Sequence, residues 1–113
     1  MNEDLYMYIL VNSDLNMGKG KLASQVGHVV GEITEEIIRK SYESGKGIPD
    51  CYLRYAKWKK TGTCKIILKA SEEQIKSLIR EPESVYIIDA GRTQIAPDSL
   101  TVIGFYPSVN LKE

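Results

Sequence analysis

Two lysines and two glycines stand in the run MGKGK at residues 17–21, after an apolar stretch and before a helical pattern. Glycines permit a tight backbone, and the first turn of a helix presents N–H groups and partial positive charge. A corner of that kind suits an anion. Lys21 falls on the first helical turn in line with Gln25 and His28, whereas Lys19 falls in the turn itself. The run is not a nucleotide P-loop, because Leu22 follows Lys21 where Ser or Thr is required. A second polar corner, DAGRTQIAP at 89–97, also follows an apolar run. It offers the Asp89 carboxylate and the hydrogen-bonding side chains of Thr93 and Gln94. A carboxylate beside a lysine favours its charged form. Such a group orients or deprotonates water, help worth roughly 10²–10⁴ in rate. Each corner also has a plain reading: glycines that turn a basic loop, and an Asp-Ala-Gly that starts a turn. Together the two read as halves of one site.

His28 is the sole histidine, so a histidine base would have to be this one. Its plain reading is a structural residue on a helix. No GxSxG elbow accompanies it. Residues 51–65 are basic, with Arg54, Lys57, Lys59, Lys60 and Lys65 and no acid. Tyr52, Tyr55 and Trp58 are interleaved among them. Cations with aromatics fit a surface that follows phosphates and stacks bases. A solvated face with Trp58 folded into the core fits the same residues.

The elements that must position these groups follow from periodicity. Residues 5–11 form an apolar run without alternation, as in a strand buried on both faces. A helix is expected from near Gly20 to about Ser44, with Leu22, Val26, Val29, Val30, Ile33 and Ile37 on one arc. Lys21, Gln25, His28 and Glu32 form a narrower polar stripe beside it, and Gly27 and Gly31 a third face open to a close backbone approach. Residues 50–62 read as irregular or weakly helical. A strand at 64–70, a short helix opened by the capping box of Ser71 and Gln74, and strands at 84–88 and 100–106 complete the chain. The order β–α–β–α–β–β predicts a three-layer α/β/α sandwich with a mixed four-stranded sheet, strand 4 antiparallel to the rest. With strands one and three as parallel neighbours, both polar corners would meet at one end of the sheet.

Composition limits the remaining possibilities. The 113 residues suit one domain spanning 1–113, and 42% apolar content argues against disorder. Cys51 and Cys64 form no metal or disulfide pattern, so no metal is expected and a reducing compartment is. No apolar run reaches the ~20 residues of a membrane span. The polar start at 1–4 predicts no secretory signal. Fifteen basic residues balance fifteen acidic ones, so net charge does not point to nucleic acid.

Three stretches in order, DLNMGKGKLASQVGH, then W-x-x-x-G-x-x-KIILKA from Trp58, then DAGRTQIAP with the TVIG strand, resemble type II peptidyl-tRNA hydrolases of archaea and eukaryotes. The resemblance covers almost the whole chain. It implies hydrolysis of the ester between a peptidyl group and tRNA, without a cofactor, by a cytoplasmic enzyme that is often a homodimer. The essential lysine, aspartate and threonine of the family map to Lys21, Asp89 and Thr93. Gln25, His28 and Thr101 become supporting residues, and Lys19, Lys57, Lys59, Lys60 and Arg92 become contacts for tRNA. Phosphates of the acceptor end would lie over the helix start and the basic stretch. Asn12 and Asn16 stand where basic residues are common, and Asp98 where glycine is usual. These departures put positive charge at the mouth in doubt, and with it tRNA affinity. The rival expectation is a non-catalytic RNA- or protein-binding adaptor on the same fold.

Overall fold

The computed structural model describes residues 4–90 and 98–109. Four strands form one sheet in the order β2-β1-β4-β3. They are β1 (Met7–Asn12), β2 (Lys65–Ala70), β3 (Ser84–Asp89) and β4 (Ser99–Phe105). β1 and β2 are parallel, and β4 runs antiparallel to both β1 and β3. Between β1 and β2 the chain forms α1 (Lys19–Glu43) and α2 (Asp50–Lys60); between β2 and β3 it forms α3 (Glu72–Lys76).

Alternation along the strands divides the side chains between two faces. Met7, Ile9 and Val11 meet Val29, Ile33 and Ile37 of α1 and Trp58 of α2 on one side. Leu10, Leu100, Ile103 and Phe105 meet Ile75 of α3 on the other. Helices thus cover both faces of a mixed sheet, as the element order predicts. Close seating of α1 on β4 requires a glycine. A Cβ at Gly104 would stand 2.9 Å from Ile33 Cδ1 and 3.1 Å from Val29 Cγ2.

Four expectations need correction. β1 and β3 are not neighbours, because β4 lies between them. The short β3–β4 reversal and the pairing of β4 with β1 together put it there; β1 and β3 still run the same way, so their carboxyl ends share one end of the sheet. Residues 50–60 are a regular helix, with Asp50 in its first turn and Lys57, Lys59 and Lys60 in its last, the charge order that the macrodipole favours. Gly27 and Gly31 have no close neighbour: a Cβ at either would meet nothing within 4 Å. Finally, Asn12 does not stand at a mouth. It is 1% exposed and sits on the α3 side. Its amide donates to the Leu100 carbonyl at 2.8 Å and to Glu72 Oε1 at 3.2 Å. The Asn12 side-chain oxygen accepts from the Asp14 N–H, and Asp14 in turn accepts from the Glu72 N–H at the start of α3. The polar turn after β1 therefore ties β4 and α3 to β1, whereas Asn16 is exposed.

Candidate active site

The fully buried line of α1 is Gln25, Val29, Ile33 and Ile37, one residue per turn. Leu22, Val26 and Val30 are only partly buried beside it. The stripe carrying Lys21 and Gln25 is therefore the core stripe itself, turned polar in its first two turns. Extending the i, i+4 step back from Val29 gives Gln25 and then Lys21. Both side chains consequently point at the sheet, where Asp89 closes β3.

Lys21 Nζ donates to Asp89 Oδ1 at 2.8 Å, with the two side chains 9% and 12% exposed. Gln25 Nε2 lies 3.4 Å from the same oxygen. Gln25 Oε1 accepts from the Thr101 hydroxyl at 2.7 Å, a bond wholly inside the molecule. Thr101 reaches it through a β-bulge. Ile87 pairs with Val102 but Ile88 pairs with Leu100, so Thr101 is the extra residue. Regular pairing would put Thr101 and Val102 on opposite faces. The bulge instead leaves Thr101 on the α1 side, 3.3 Å from the Ile87 carbonyl oxygen. No feature of the sequence marks this position as a bulge.

The first turn of α1 gathers further positive character. Its N-cap is Gly18, which supplies no capping side chain, and no acid stands in that turn. Lys19 and Lys21 occupy it instead, against the usual preference for acids there. Lys19 is exposed. An ammonium, an ionised carboxylate and a helix start thus converge at the carboxyl ends of β1 and β3. Such a group can hold an anion, orient a water and receive charge developing on an oxygen.

His28, expected in line with Lys21 and Gln25, lies instead on the exposed side of α1, 3.9 Å from Glu32. Thr93 and Arg92, expected as catalytic and tRNA-contacting residues, lie outside the described residues. Across the gap, the Asp98 N–H donates to the Asp89 carbonyl at 2.8 Å. Asp98 itself has a φ of +62°, in the left-handed region that glycine adopts freely and that aspartate tolerates better than most residues.

The basic stretch is placed elsewhere. α2 delivers the chain to Lys65, the β2 partner of Met7, so Lys57, Lys59 and Lys60 flank the amino ends of β1 and β2. The length of β1, roughly 17 Å, separates that pole from the helix start. The helix start and the basic stretch are thus two basic regions at opposite ends of β1. Arg54 belongs to neither. It donates to Asp50, Glu83 and the Pro107 carbonyl at 2.6–2.8 Å. The aromatics turn toward the core. Trp58 is buried and donates to the Cys64 carbonyl, and Tyr52 and Tyr55 pack against the core.

Cys51 is buried and Cys64 exposed, both as free thiols. Among the described residues no group of three or more His, Cys, Asp or Glu side chains could hold a metal ion. No described helix is long and apolar enough to cross a membrane.

Comparison with known proteins gives this geometry a context. The chain is 36% identical over 107 residues to the human protein named peptidyl-tRNA hydrolase 2, mitochondrial, covering 89% of this chain and 54% of that one. It is 35% identical over 107 residues to the peptidyl-tRNA hydrolase of Sulfolobus acidocaldarius, covering 89% and 85%. A Drosophila melanogaster protein named probable peptidyl-tRNA hydrolase 2 is 34% identical over 115 aligned positions, 96% of this chain and 56% of that one. The chain spans about half the length of its animal relatives and most of the archaeal one. The family model described as Peptidyl-tRNA hydrolase PTH2 matches residues 5–111, and the chain belongs to that family.

Proposed function

We propose that this chain hydrolyses the ester joining the peptidyl group to tRNA in peptidyl-tRNA, releasing free tRNA and peptide. One observation carries the reading: the Lys21–Asp89 pair at 2.8 Å, backed by Gln25 and Thr101, at the end of the sheet where α1 begins. Asp89 orients a water toward the ester carbonyl and takes its proton. Lys21 holds Asp89 ionised and offers positive charge to the oxyanion that forms. Gln25 fixes the carboxylate, and Thr101 fixes Gln25. Thr93 positions the water or Asp89, His28 plays a supporting part from the exposed side of α1, and Lys19 and Arg92 meet phosphate near the 3′ end. Lys57, Lys59 and Lys60 contact the tRNA farther from the reacting bond. No cofactor enters the reaction. Carboxylate and ammonium together supply the two requirements of ester hydrolysis, an activated nucleophile and a charge-stabilised oxygen.

The test is cleavage of purified peptidyl-tRNA by folded Lys21→Ala and Asp89→Asn proteins. Each loses about 10²–10³ in kcat/KM, the usual cost of removing one such group. Activity near wild type in both removes the assignment. The adaptor reading has no observation in its favour, since Asn12, one of its supports in the sequence, is committed to the fold.

Residues 1–113 act as one domain in this reading, in a homodimer. Exposed Leu68, Tyr86 and Ile88 on the α3 side of the sheet support self-association. Sedimentation of the purified chain decides it, and a monomer at micromolar concentration counts against a dimer. The two free thiols fit a reducing compartment such as the cytoplasm. Fractionation that places the protein outside it would refute that part.

A further inference from the structure

Residues 51–70 contain no aspartate or glutamate but carry Arg54 and five lysines. Arg54 is committed to its clamp, while Lys57, Lys59, Lys60, Lys65 and Lys69 are all exposed. The last two lie on β2, an edge strand. Lys65, Ile67 and Lys69 pair with Met7, Ile9 and Val11, so all three share the α1 face. α1 packs on β1, β3 and β4, and Ile67 between the two lysines is 48% exposed. This side of the edge is thus open among the described residues. Lys65 marks the pole where α2 ends, with its ammonium 5.4 Å from the Trp58 ring centre. Lys69, the partner of Val11, marks the pole of Lys21 and Asp89. About 13 Å separates them along the strand.

We propose that the open face of β2 is a phosphate track, on which the backbone of the tRNA acceptor arm runs from the last turn of α2 past Lys65 and Lys69 toward the Lys21–Asp89 corner. The inference rests on the proposed function and supplies what joins its two basic regions. Two cations four residues apart on the same face of an extended strand form a straight line of charge, with no acid between them. Duplex RNA is bound largely through backbone and shape, which requires charge placement rather than base-reading side chains. From β2 to β3 the sheet is about 14 Å wide, three interstrand steps. A single-stranded 3′ end can cross that width to reach Asp89 while its duplex stays on the track.

Lysine on an edge strand also deters edge-to-edge pairing, and the experiment separates the two roles. Binding of uncharged tRNA to the full chain is measured by fluorescence anisotropy across a salt series, for wild type, K65Q/K69Q and K65R/K69R. The glutamine pair weakens binding about tenfold at low salt and flattens the slope of log K against log salt by about two, one phosphate per lysine. The arginine pair keeps both. A short single-stranded RNA ending in the tRNA 3′ sequence binds the glutamine pair as well as wild type. Unchanged affinity and slope in K65Q/K69Q overturn the track. So does aggregation of that variant at unchanged affinity, which assigns the lysines to edge protection, and so does equal weakening toward the short RNA. Cleavage is not read, so failure of the Lys21 and Asp89 variants to lose activity leaves this measurement intact.

Discussion

Thr101 has no contact with solvent and acts through Gln25, which makes it a positioning residue. Its hydroxyl sets which end of the Gln25 amide faces Asp89. With the donor gone, a buried amide oxygen loses its partner, at a cost of about 1–3 kcal/mol. Thr101→Val preserves shape and removes that donor. The expected outcome is a kcat lowered by about tenfold, one such bond's worth, with little change in KM. Thr101→Ser restores most of the rate. Steady-state kinetics on peptidyl-tRNA check it; a Thr101→Val protein with normal kcat, or a serine variant no better than valine, ends the positioning role. Lys21 and Gln25 were legible in the sequence because they stand one turn apart where the helical pattern begins. Their burial was not, since position on a stripe does not reveal which arc faces the sheet.

At the scale of elements, α1 carries the site and β4 seats it. Gly104 lets Val29 and Ile33 approach the sheet closely, and these residues lie one and two turns beyond Gln25. Gly104→Ala forces Ile33 Cδ1 to move and presses on Val29, a stiff β-branched side chain. Overpacking of this kind costs about 1–3 kcal/mol. Thermal or urea unfolding should show that loss, and an unchanged midpoint would mean that the helix yields freely. The strands and α3 were readable from apolar runs and the capping box, whose two reciprocal hydrogen bonds are formed. α2 was harder. Its apolar residues are few, and its regularity comes from Cys51 and Trp58 entering a core built by other elements.

Across the whole molecule, Arg54 joins α2 to the chain after β4 and to Glu83, whose φ of +61° is an uncommon conformation for glutamate. The Glu83 carbonyl also accepts from the Tyr106 N–H, and the Tyr106 hydroxyl donates to Glu36 of α1. Burial first, and the Glu36 carboxylate second, push the Tyr106 phenol well above its ordinary range. These contacts lock the pole opposite the site. Arg54→Ala should cost about 1–3 kcal/mol, the loss of charged hydrogen bonds at a partly exposed site, and leave the salt dependence of tRNA binding unchanged. Unfolding and anisotropy measurements on one preparation check both. A flatter salt slope with unchanged stability would move Arg54 into the RNA-contacting set.

Local pattern alone determined the strands, the long helix, the helix-capping serine, the polar corners and the family likeness, because each depends on residues a few positions apart. The tertiary structure decided the rest. Lys21 and Asp89 are 68 residues apart, Thr101 and Gln25 are 76, and Asn12 and the Leu100 carbonyl 88. Whether such pairs meet depends on strand order, on one bulge and on the arc of α1 that turns inward. Those are outcomes of packing two faces of one sheet at once, and no short window of sequence contains them.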